Sequence, residues 1–324
     1  MRRNMANRIK RKPPIEELKK YNAYRESDTA FQAHARLLQS KWRTWKGYAM
    51  GKFKGEDIGN RIDTSLGEKG VNFLTTNISK VVDKALQLGS KDHAMIMMDR
   101  LRSNLLSSQP LCFNLFGEMS FNSDLATQFF QEIFPEEVAE VSSVVYEYST
   151  RRGKPDYSAF DVYVEYTSLT GHDKFFGIEV KYSENMREES KEKALRTLNK
   201  HRAEYTQLTK KSGYFKSGVI DEISLPPYSQ LWRDHMLCYN MSTDEKLNRE
   251  GNFIVLYPFN NGSCDRVVRN YQNKYLINNN SEESHFIVCD LNDFILTLDS
   301  LVNSKWTKEL IDRYIVVEID NQQE

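Results

Sequence analysis

Residues 159–182 read AFDVYVEYTSLTGHDKFFGIEVKY, and this stretch decides the fold. Apolar side chains alternate with polar ones from Phe160 to Tyr166 and again from Phe176 to Tyr182. A polar segment of turn-forming residues separates the two runs. Successive side chains of a strand point to opposite faces, so the pattern predicts a β-hairpin. Its unusual property is charge on a face where a globular protein is expected to bury apolar groups.

The hairpin register follows from the position of the turn. If the turn is centred near Thr170 and Gly171, residues whose numbers sum to about 340 or 341 lie opposite each other. Asp161 and Glu179 then form a cross-strand pair, with Cβ atoms roughly 4.5–5.5 Å apart. Lys181 follows on the same strand face as Glu179. Two carboxylates and an adjacent lysine predict a site for a hard cation.

The composition is that of a soluble globular protein. The chain has 324 residues, of which 40% are hydrophobic and 28% charged, enough for one large domain or two. No apolar run approaches the ~20 residues that span a bilayer, and the basic N-terminus has no apolar segment behind it, which favours a cytoplasmic protein. Four dispersed cysteines and six scattered histidines favour reduced core thiols and argue against a zinc or histidine-based metal site.

Charge is unevenly distributed along the chain. Residues 1–54 contain 15 Lys or Arg against 4 Asp or Glu, a balance of +11, and the rest of the chain carries −11. Such an excess suggests contact with a polyanion, although residues 1–14 fit a flexible, solubilising basic arm equally well. Lys41 and Arg43 interleave with Trp42 and Trp45, which makes both cations candidates for a phosphate backbone. Tryptophans at helical spacing are more often part of a core.

The remaining pattern predicts helices followed by strands. Helical periodicity covers residues 15–48 and 71–106, with a break near Gly89-Ser90, and the glycine-containing stretch 49–69 between them is predicted as a loop. Further helices begin at Ser107 and Ser123, and a strand runs from Val141 to Thr150. After the hairpin come helices in 187–211 and behind Pro226-Pro227, a strand at 253–258, a strand at 285–291 and a helix at 292–301. A meander followed by helical crossovers predicts a mixed α/β sheet covered by helices.

Asp161 on one strand and Glu179-Val180-Lys181 on the next resemble the motif of the PD-(D/E)xK nuclease superfamily. The segments 107–117 (SSQPLCFNLFG), 177–184 (GIEVKYSE) and 230–233 (QLWR) are similar to a bacterial, restriction-endonuclease-like branch of that superfamily. The resemblance covers roughly residues 30–290. It implies a restriction-endonuclease-like sheet, a three-strand meander plus crossover strands, in a nuclease-like domain at 107–324. Residues 1–14 would be the basic arm and residues 15–106 a helical N-terminal extension.

The resemblance also implies a chemistry. Asp161, Glu179 and the main-chain carbonyl of Val180 would bind Mg²⁺, or Mn²⁺ in its place, for hydrolysis of DNA phosphodiester bonds. Lys181 would orient the attacking water or stabilise charge on the phosphate. Glu147 on the preceding strand would join the metal shell, and Glu165 would lie at its edge. Glu118 is a weaker candidate, since an acid near a helix end is more often simply solvated.

Asp156 is an alternative ligand, because Pro155-Asp156 spells the superfamily motif. Pairing Asp156 with Glu179, however, would centre the turn between Thr167 and Ser168 and leave polar turn residues inside a strand. The register therefore favours Asp161.

Gln207, Gln230 and Arg233 are candidates for DNA contacts from the helices, although Arg233 serves equally well in a structural ion pair. The expected partner is DNA, for an enzyme of restriction, defence or repair. Cutting both strands would usually require two active sites, as in a homodimer, and a methyltransferase or defence partner would be a separate chain. The alternative is a catalytically silent nucleic-acid-binding or interaction protein on the same fold, in which the acids and the lysine form an ordinary surface ion pair.

Overall fold

The computed structural model describes residues 8–92, 96–149, 158–184, 186 and 191–318, and it contains a two-stranded and a five-stranded sheet. The strands are β1 (Met50–Phe53), β2 (Glu56–Ile62), β3 (Val138–Tyr148), β4 (Phe160–Ser168), β5 (Asp173–Val180), β6 (Glu250–Tyr257) and β7 (Phe286–Asp290). In the larger sheet the order is β3-β4-β5-β6-β7. The first three strands are antiparallel and the last two run parallel to β5. The predicted mixed α/β sheet, a meander followed by crossover strands, is confirmed.

Helices cover both faces of this sheet. Their bounds are α1 (Ile15–Lys20), α2 (Ala30–Trp45), α3 (Thr64–Glu68), α4 (Thr76–Asp92), α5 (Met98–Ser103), α6 (Ser108–Phe116), α7 (Ser123–Ile133), α8 (Lys191–Ser212), α9 (Ile220–Ile223), α10 (Ser229–Ser242), α11 (Gly262–Asn270), α12 (Ser281–Ser284), α13 (Leu291–Val302) and α14 (Lys305–Tyr314). In the part of the chain that is described, no helix is long and apolar enough to cross a membrane.

The hairpin has the predicted register. Val162 pairs with Ile178 and Thr167 with Asp173, so opposing residue numbers sum to 340. The chain reverses between Ser168 and His172, and Gly171 adopts a φ of +80°. Only glycine takes that backbone conformation without strain, which fixes the turn and therefore the register.

Two separate apolar cores lie on the two faces of the sheet. Alternate strand residues such as Val164 and Phe176 pack into the first core with α2, α4, α6, α7, α13 and α14. Their neighbours, such as Tyr163 and Phe175, pack into the second core with α8, α10 and α11. Both faces are covered, which explains why strand residues of either parity are apolar or aromatic.

Three sequence predictions about elements are wrong. Residues 49–69 are not a loop, because β1 and β2 form a hairpin and α3 follows it; the glycines that suggested a loop lie within and beside these strands. The predicted break at Gly89 lies inside α4, which continues to Asp92. The sequence patterns also did not predict α11 and α14, which are short and polar on their outer sides.

A buried histidine anchors α10, the helix that reaches the acidic residues of the hairpin. His235 is fully buried, and its Nε2 donates to the Ser284 carbonyl over 2.7 Å while Nδ1 accepts from the Tyr271 hydroxyl over 3.2 Å. Burial lowers the pKa of the His235 imidazole to about 3, so the folded protein keeps it neutral.

This histidine predicts loss of stability in acid. The unfolded chain binds the proton near pH 6.5 and the folded chain only near its lowered pKa, so stability falls as pH drops through that window. At about pH 5 the loss amounts to about 2 kcal/mol. Urea unfolding at pH 7 and pH 5 should show this loss in the wild type and not in His235→Gln. An equal pH dependence in both proteins would refute the assignment to His235.

Candidate active site

Three acidic residues lie side by side across β3, β4 and β5. Tyr146 pairs with Val162 and Tyr148 with Phe160, which places Glu147 opposite Asp161. The hairpin register places Glu179 on the other side of Asp161. We call Glu147, Asp161 and Glu179 the acid row. The cross-strand neighbours Asp161 and Glu179 are as predicted, and Glu147 joins them.

The acid row coincides with an irregularity in two strands. Phe160 packs in the second core and Val162 in the first, although residues two apart in a regular strand share a face. The same switch occurs between Tyr146 and Tyr148, and Glu147 between them has a φ of +48°. At the acid row, therefore, side chains two residues apart in β3 and in β4 point to opposite faces of the sheet. This irregularity in β3 and β4 turns the side chains of Glu147 and Asp161 away from both apolar cores.

Gly177 of β5, which pairs with Tyr163, makes this arrangement possible. A Cβ atom on Gly177 would stand 2.5 Å from the Phe160 ring. Any larger residue at 177 would therefore displace that ring, next to Asp161 in the chain. The glycine allows the aromatic ring to lie across β5.

Asp161 is held in a strongly negative environment. One of its carboxylate oxygens accepts the main-chain N–H of Val180 over 2.8 Å. Burial raises the pKa of the Asp161 carboxyl well above its usual value, and the charges of Glu179 and Glu147 raise it further. Lys181 and the Val180 N–H oppose these effects without cancelling them. The site therefore concentrates more negative charge than its own lysine neutralises.

Lys181 lies directly against Glu179 on the strand end. Its Nζ atom is 2.7 Å from Glu179 Oε1, and its main-chain N–H bonds the Leu256 carbonyl of β6. The Lys181 side chain is 11% exposed and Glu179 3%. Burial alone would lower the pKa of the Lys181 ammonium, but the charges of Glu179, Glu184 and Asp161 raise it above its usual value. Lys181 therefore stays protonated.

Gln230 in the first turn of α10 completes the arrangement. Its Nε2 donates to Glu179 Oε1 over 2.6 Å, and its Oε1 accepts from Lys181 Nζ over 3.0 Å. The amide thus bridges the acid and the lysine. Sequence reasoning selected Gln230 only as a DNA contact and missed this role, because the bridge depends on how α10 packs on the sheet.

The start of α6 is tied to the same strand end. Glu184 accepts the main-chain N–H of Tyr182 over 2.7 Å and that of Ser108 over 3.2 Å. Burial raises the pKa of the Cys112 thiol in α6, and the charges of Asp161, Glu179, Glu147 and Glu184 add to it. Cys112 thus lies beneath the acid row. No sequence signal identified Glu184 as a link between α6 and the site.

The other predicted acids are engaged elsewhere. Glu165 forms an ion pair with Arg249, and its carboxylate also accepts from the Ser143 hydroxyl over 3.2 Å. Glu118 accepts from the Thr75 hydroxyl and from the Asn77 amide at the start of α4. Neither carboxylate joins the acid row. Asp156 lies outside the described residues.

The predicted DNA contacts have different surroundings. The Arg43 side chain is buried and donates to the main-chain carbonyls of Gly59 and Tyr48, so the geometry does not support it as a DNA contact. Lys41 pairs with Glu17. Arg233 is half-buried on α10, and Gln207 is exposed on α8. Trp42 belongs to a core, as its spacing predicted, whereas Trp45 is 70% exposed.

The donor set at the acid row suits a divalent cation. Carboxylate and carbonyl oxygens are the ligands of hard cations, and burial together with the charges of Glu179 and Glu147 raises the pKa of Asp161. Among the described residues, no group of three or more His, Cys, Asp or Glu side chains is close enough to form a ready-made metal cage. The four cysteines, all among the described residues, form no disulfide bond. Asp161, Glu179 and a main-chain oxygen would have to share a cation with solvent or substrate.

Comparison with known proteins agrees with this geometry. The sequence profile of the PD-(D/E)XK nuclease superfamily matches residues 26–316. No curated protein and no solved structure matches the chain significantly. The match covers both sheets, the acid row and α14. The chain therefore belongs to the PD-(D/E)XK nuclease superfamily.

Proposed function

We propose that the protein is a metal-dependent endonuclease that hydrolyses DNA phosphodiester bonds at the acid row. The observation that carries this proposal is that Asp161 and Glu179 directly adjoin the Val162–Ile178 pair on neighbouring strands, with Asp161 bonded to the Val180 N–H and Lys181 in contact with Glu179. The superfamily match supports nuclease activity in general. DNA as the substrate and Mg²⁺ as the metal are our proposals, as are a cytoplasmic location and a homodimer for double-strand cleavage.

The role of each residue follows from its charge and position. Asp161, Glu179 and the Val180 carbonyl would hold Mg²⁺ or Mn²⁺, with Glu147 adding negative charge from β3. A bound divalent cation would polarise the scissile phosphate and lower the pKa of a coordinated water. Lys181 stays protonated, so its role is to orient that water and to stabilise charge that develops on the phosphate.

Gln230 keeps the lysine and the acid in place. Without its bridge, Lys181 would form only the direct contact with Glu179, which would draw the ammonium group away from the phosphate. The amide also gives the buried Glu179 oxygen Oε1 a second donor beside Lys181.

A plasmid assay tests the function. Purified full-length protein should nick supercoiled DNA with Mg²⁺ and not with EDTA. No Mg²⁺-dependent nicking on any DNA tried would sink the proposal, and a retained gel shift would then support a silent DNA-binding protein. Loss of nicking in Asp156→Ala, with normal nicking in Asp161→Ala, would transfer the ligand role to Asp156.

Substitution of Gln230 is expected to lower activity while the fold is retained. We expect Gln230→Ala to reduce nicking about 10–100-fold, the usual cost of losing a residue that orients a metal ligand. The reduction should be larger in Gln230→Glu, because a new carboxylate would face Glu179. Nicking rates at increasing Mg²⁺ would measure the effect, with Gln128→Ala, an exposed amide on α7, as the control. Wild-type rates in Gln230→Ala would contradict the positioning role.

A further inference from the structure

Much of the N-terminal positive charge is neutralised within the fold. Arg8 pairs with the buried Asp265, Arg36 with Asp28 over 2.7 Å, and Lys46 with Glu309 over 2.6 Å. Lys41 and Arg43 are likewise engaged, as described above. Other cations of this region, such as Lys10, Lys19 and Lys20, are exposed and form no ion pair among the described residues, so the N-terminal region is one candidate surface for a polyanion and other basic segments have to be compared with it.

Helix α8 carries another set of exposed cations. Its 22 residues include seven Lys or Arg and two Asp or Glu, a balance of +5. The exposed members include Arg196, Lys200, Lys210 and Lys211. Lys200, Lys210 and Lys211 form no ion pair among the described residues. Arg196 pairs with Glu192 over 3.3 Å, but both side chains are highly exposed, so this pair contributes little stability and can exchange.

These cations occupy one side of the helix. Arg196 and Lys200 before the bend at His201, and Gln207 and Lys211 after it, are each spaced by four residues, which keeps each pair on one face of its helical segment. The opposite side is buried through Ala194, Tyr205 and Thr209. We call the exposed face, Arg196, Lys200, Gln207, Lys210 and Lys211, the α8 stripe. Helix α8 bends at His201, whose φ of −122° and ψ of 18° are not helical. The stripe therefore does not follow a straight line.

The α8 stripe belongs to the same part of the molecule as the active site. The Tyr205 and Trp232 rings lie 4.8 Å apart, and the Trp232 indole donates to the Thr209 hydroxyl over 3.0 Å. Trp232 is two residues from Gln230, the bridge to Glu179 and Lys181. These contacts lie on the buried side of α8, so the α8 stripe faces away from α10 and is separated from it by the width of α8, about 10–12 Å with side chains.

We propose that the α8 stripe binds the phosphate backbone of duplex DNA and delivers it to the acid row. The inference rests on the proposed nuclease function and names the surface that would hold its substrate. A straight helix would rise about 22 Å from Arg196 to Lys211, so the bend at His201 makes about six base pairs, at 3.4 Å each, the greatest length of duplex that the stripe spans. Charge complementarity and a run of amide and cationic side chains suit phosphate contacts, which position DNA without reading its sequence.

The salt dependence of binding tests this surface. Full-length protein would be titrated into a labelled 20-base-pair duplex in EDTA, so that binding is measured without cleavage, over a series of salt concentrations. The variant replaces Arg196, Lys200, Lys210 and Lys211 by Gln. Each lost phosphate contact removes about 0.9 from the slope of log K against log salt, so the slope should fall by about 3–4. A matched control replaces the exposed lysines Lys69, Lys80, Lys84 and Lys305 by Gln.

Each outcome is decisive. A slope reduced in the α8 variant and preserved in the control supports the stripe, and circular dichroism establishes that both remain folded. An unchanged slope in the α8 variant overturns it, even if the wild type nicks plasmid and the proposed function stands. Binding of the duplex without Mg²⁺-dependent nicking would defeat the hydrolysis and leave the stripe intact. No binding of the duplex by the wild type would overturn the stripe as well.

Discussion

Asp161→Asn is expected to abolish nicking and to make the protein more stable. The substitution preserves the shape of the side chain, and its amide oxygen can still accept the Val180 N–H. It removes a charge that burial, Glu179 and Glu147 all disfavour. We expect nicking to fall by at least about 10²–10³-fold and the free energy of unfolding to rise by about 1 kcal/mol. A loss of activity together with a gain in stability is typical of substitutions at functional sites whose residues lower the stability of the fold.

Urea unfolding in EDTA measures the stability change, and plasmid nicking measures the activity. Asp57→Asn, an exposed acid on β2, is the control and should leave both unchanged. Mg²⁺ should also raise the Tm of the wild type and have a smaller effect on Asp161→Asn, because a ligand that binds only the folded state stabilises it. Activity within about twofold of the wild type would remove Asp161 from the metal site.

Lys181→Met is expected to cause the largest loss of stability of any single change at the site. It removes the only cation in contact with Glu179 among the described residues and leaves that buried carboxylate with the Gln230 amide alone. Removal of one partner of a buried pair typically costs about 3–5 kcal/mol. Adding Glu179→Gln to Lys181→Met should restore most of that stability, since the buried charge then disappears. Both Lys181→Met and the double variant should fail to nick plasmid.

A double-mutant cycle on Glu179 and Lys181 isolates their coupling. The exposed pair of Lys274 and Glu222 is the matched control, for which a much weaker coupling is expected because solvent screens both charges. If Lys181→Met unfolds at the same urea concentration as the wild type, the two groups are not a buried pair in solution. If the double variant nicks plasmid, neither side chain performs chemistry.

The acid row was accessible from sequence because it depends on local rules. Alternation with a period of two gives the faces of β4 and β5, and the polar turn around Gly171 gives their register. Asp161, Glu179 and Lys181 follow from these two facts within 24 residues. Glu147 followed from the next strand of the meander. The hairpin and the sheet were predicted from such patterns, whereas superfamily membership was predicted from the resemblance of Asp161 and Glu179-Val180-Lys181 to the superfamily motif.

The remaining features depend on contacts between distant parts of the chain. Gln230 lies 51 residues from Glu179, and only the packing of α10 on the sheet makes it a bridge. Arg43 and Lys41 looked available for DNA because their partners, Gly59 and Glu17, cannot be inferred from helical periodicity. The β1–β2 hairpin was missed because its glycines resembled those of a loop. The number of charged residues follows from the composition, but which of them are exposed depends on the fold.

The first core has a consequence for dissecting the chain. It joins Phe31 of α2 and Phe113 of α6 to Leu310 and Tyr314 of α14, so it draws on both ends of the sequence. A fragment that starts at Ser107 would expose the apolar surface that α2 covers. Arg313, which is fully buried, would lose the Asn72 oxygens that accept from its guanidinium. A minimal catalytic fragment cannot be obtained by trimming the N-terminal third, and a fusion partner or tag is best attached outside residues 26–316.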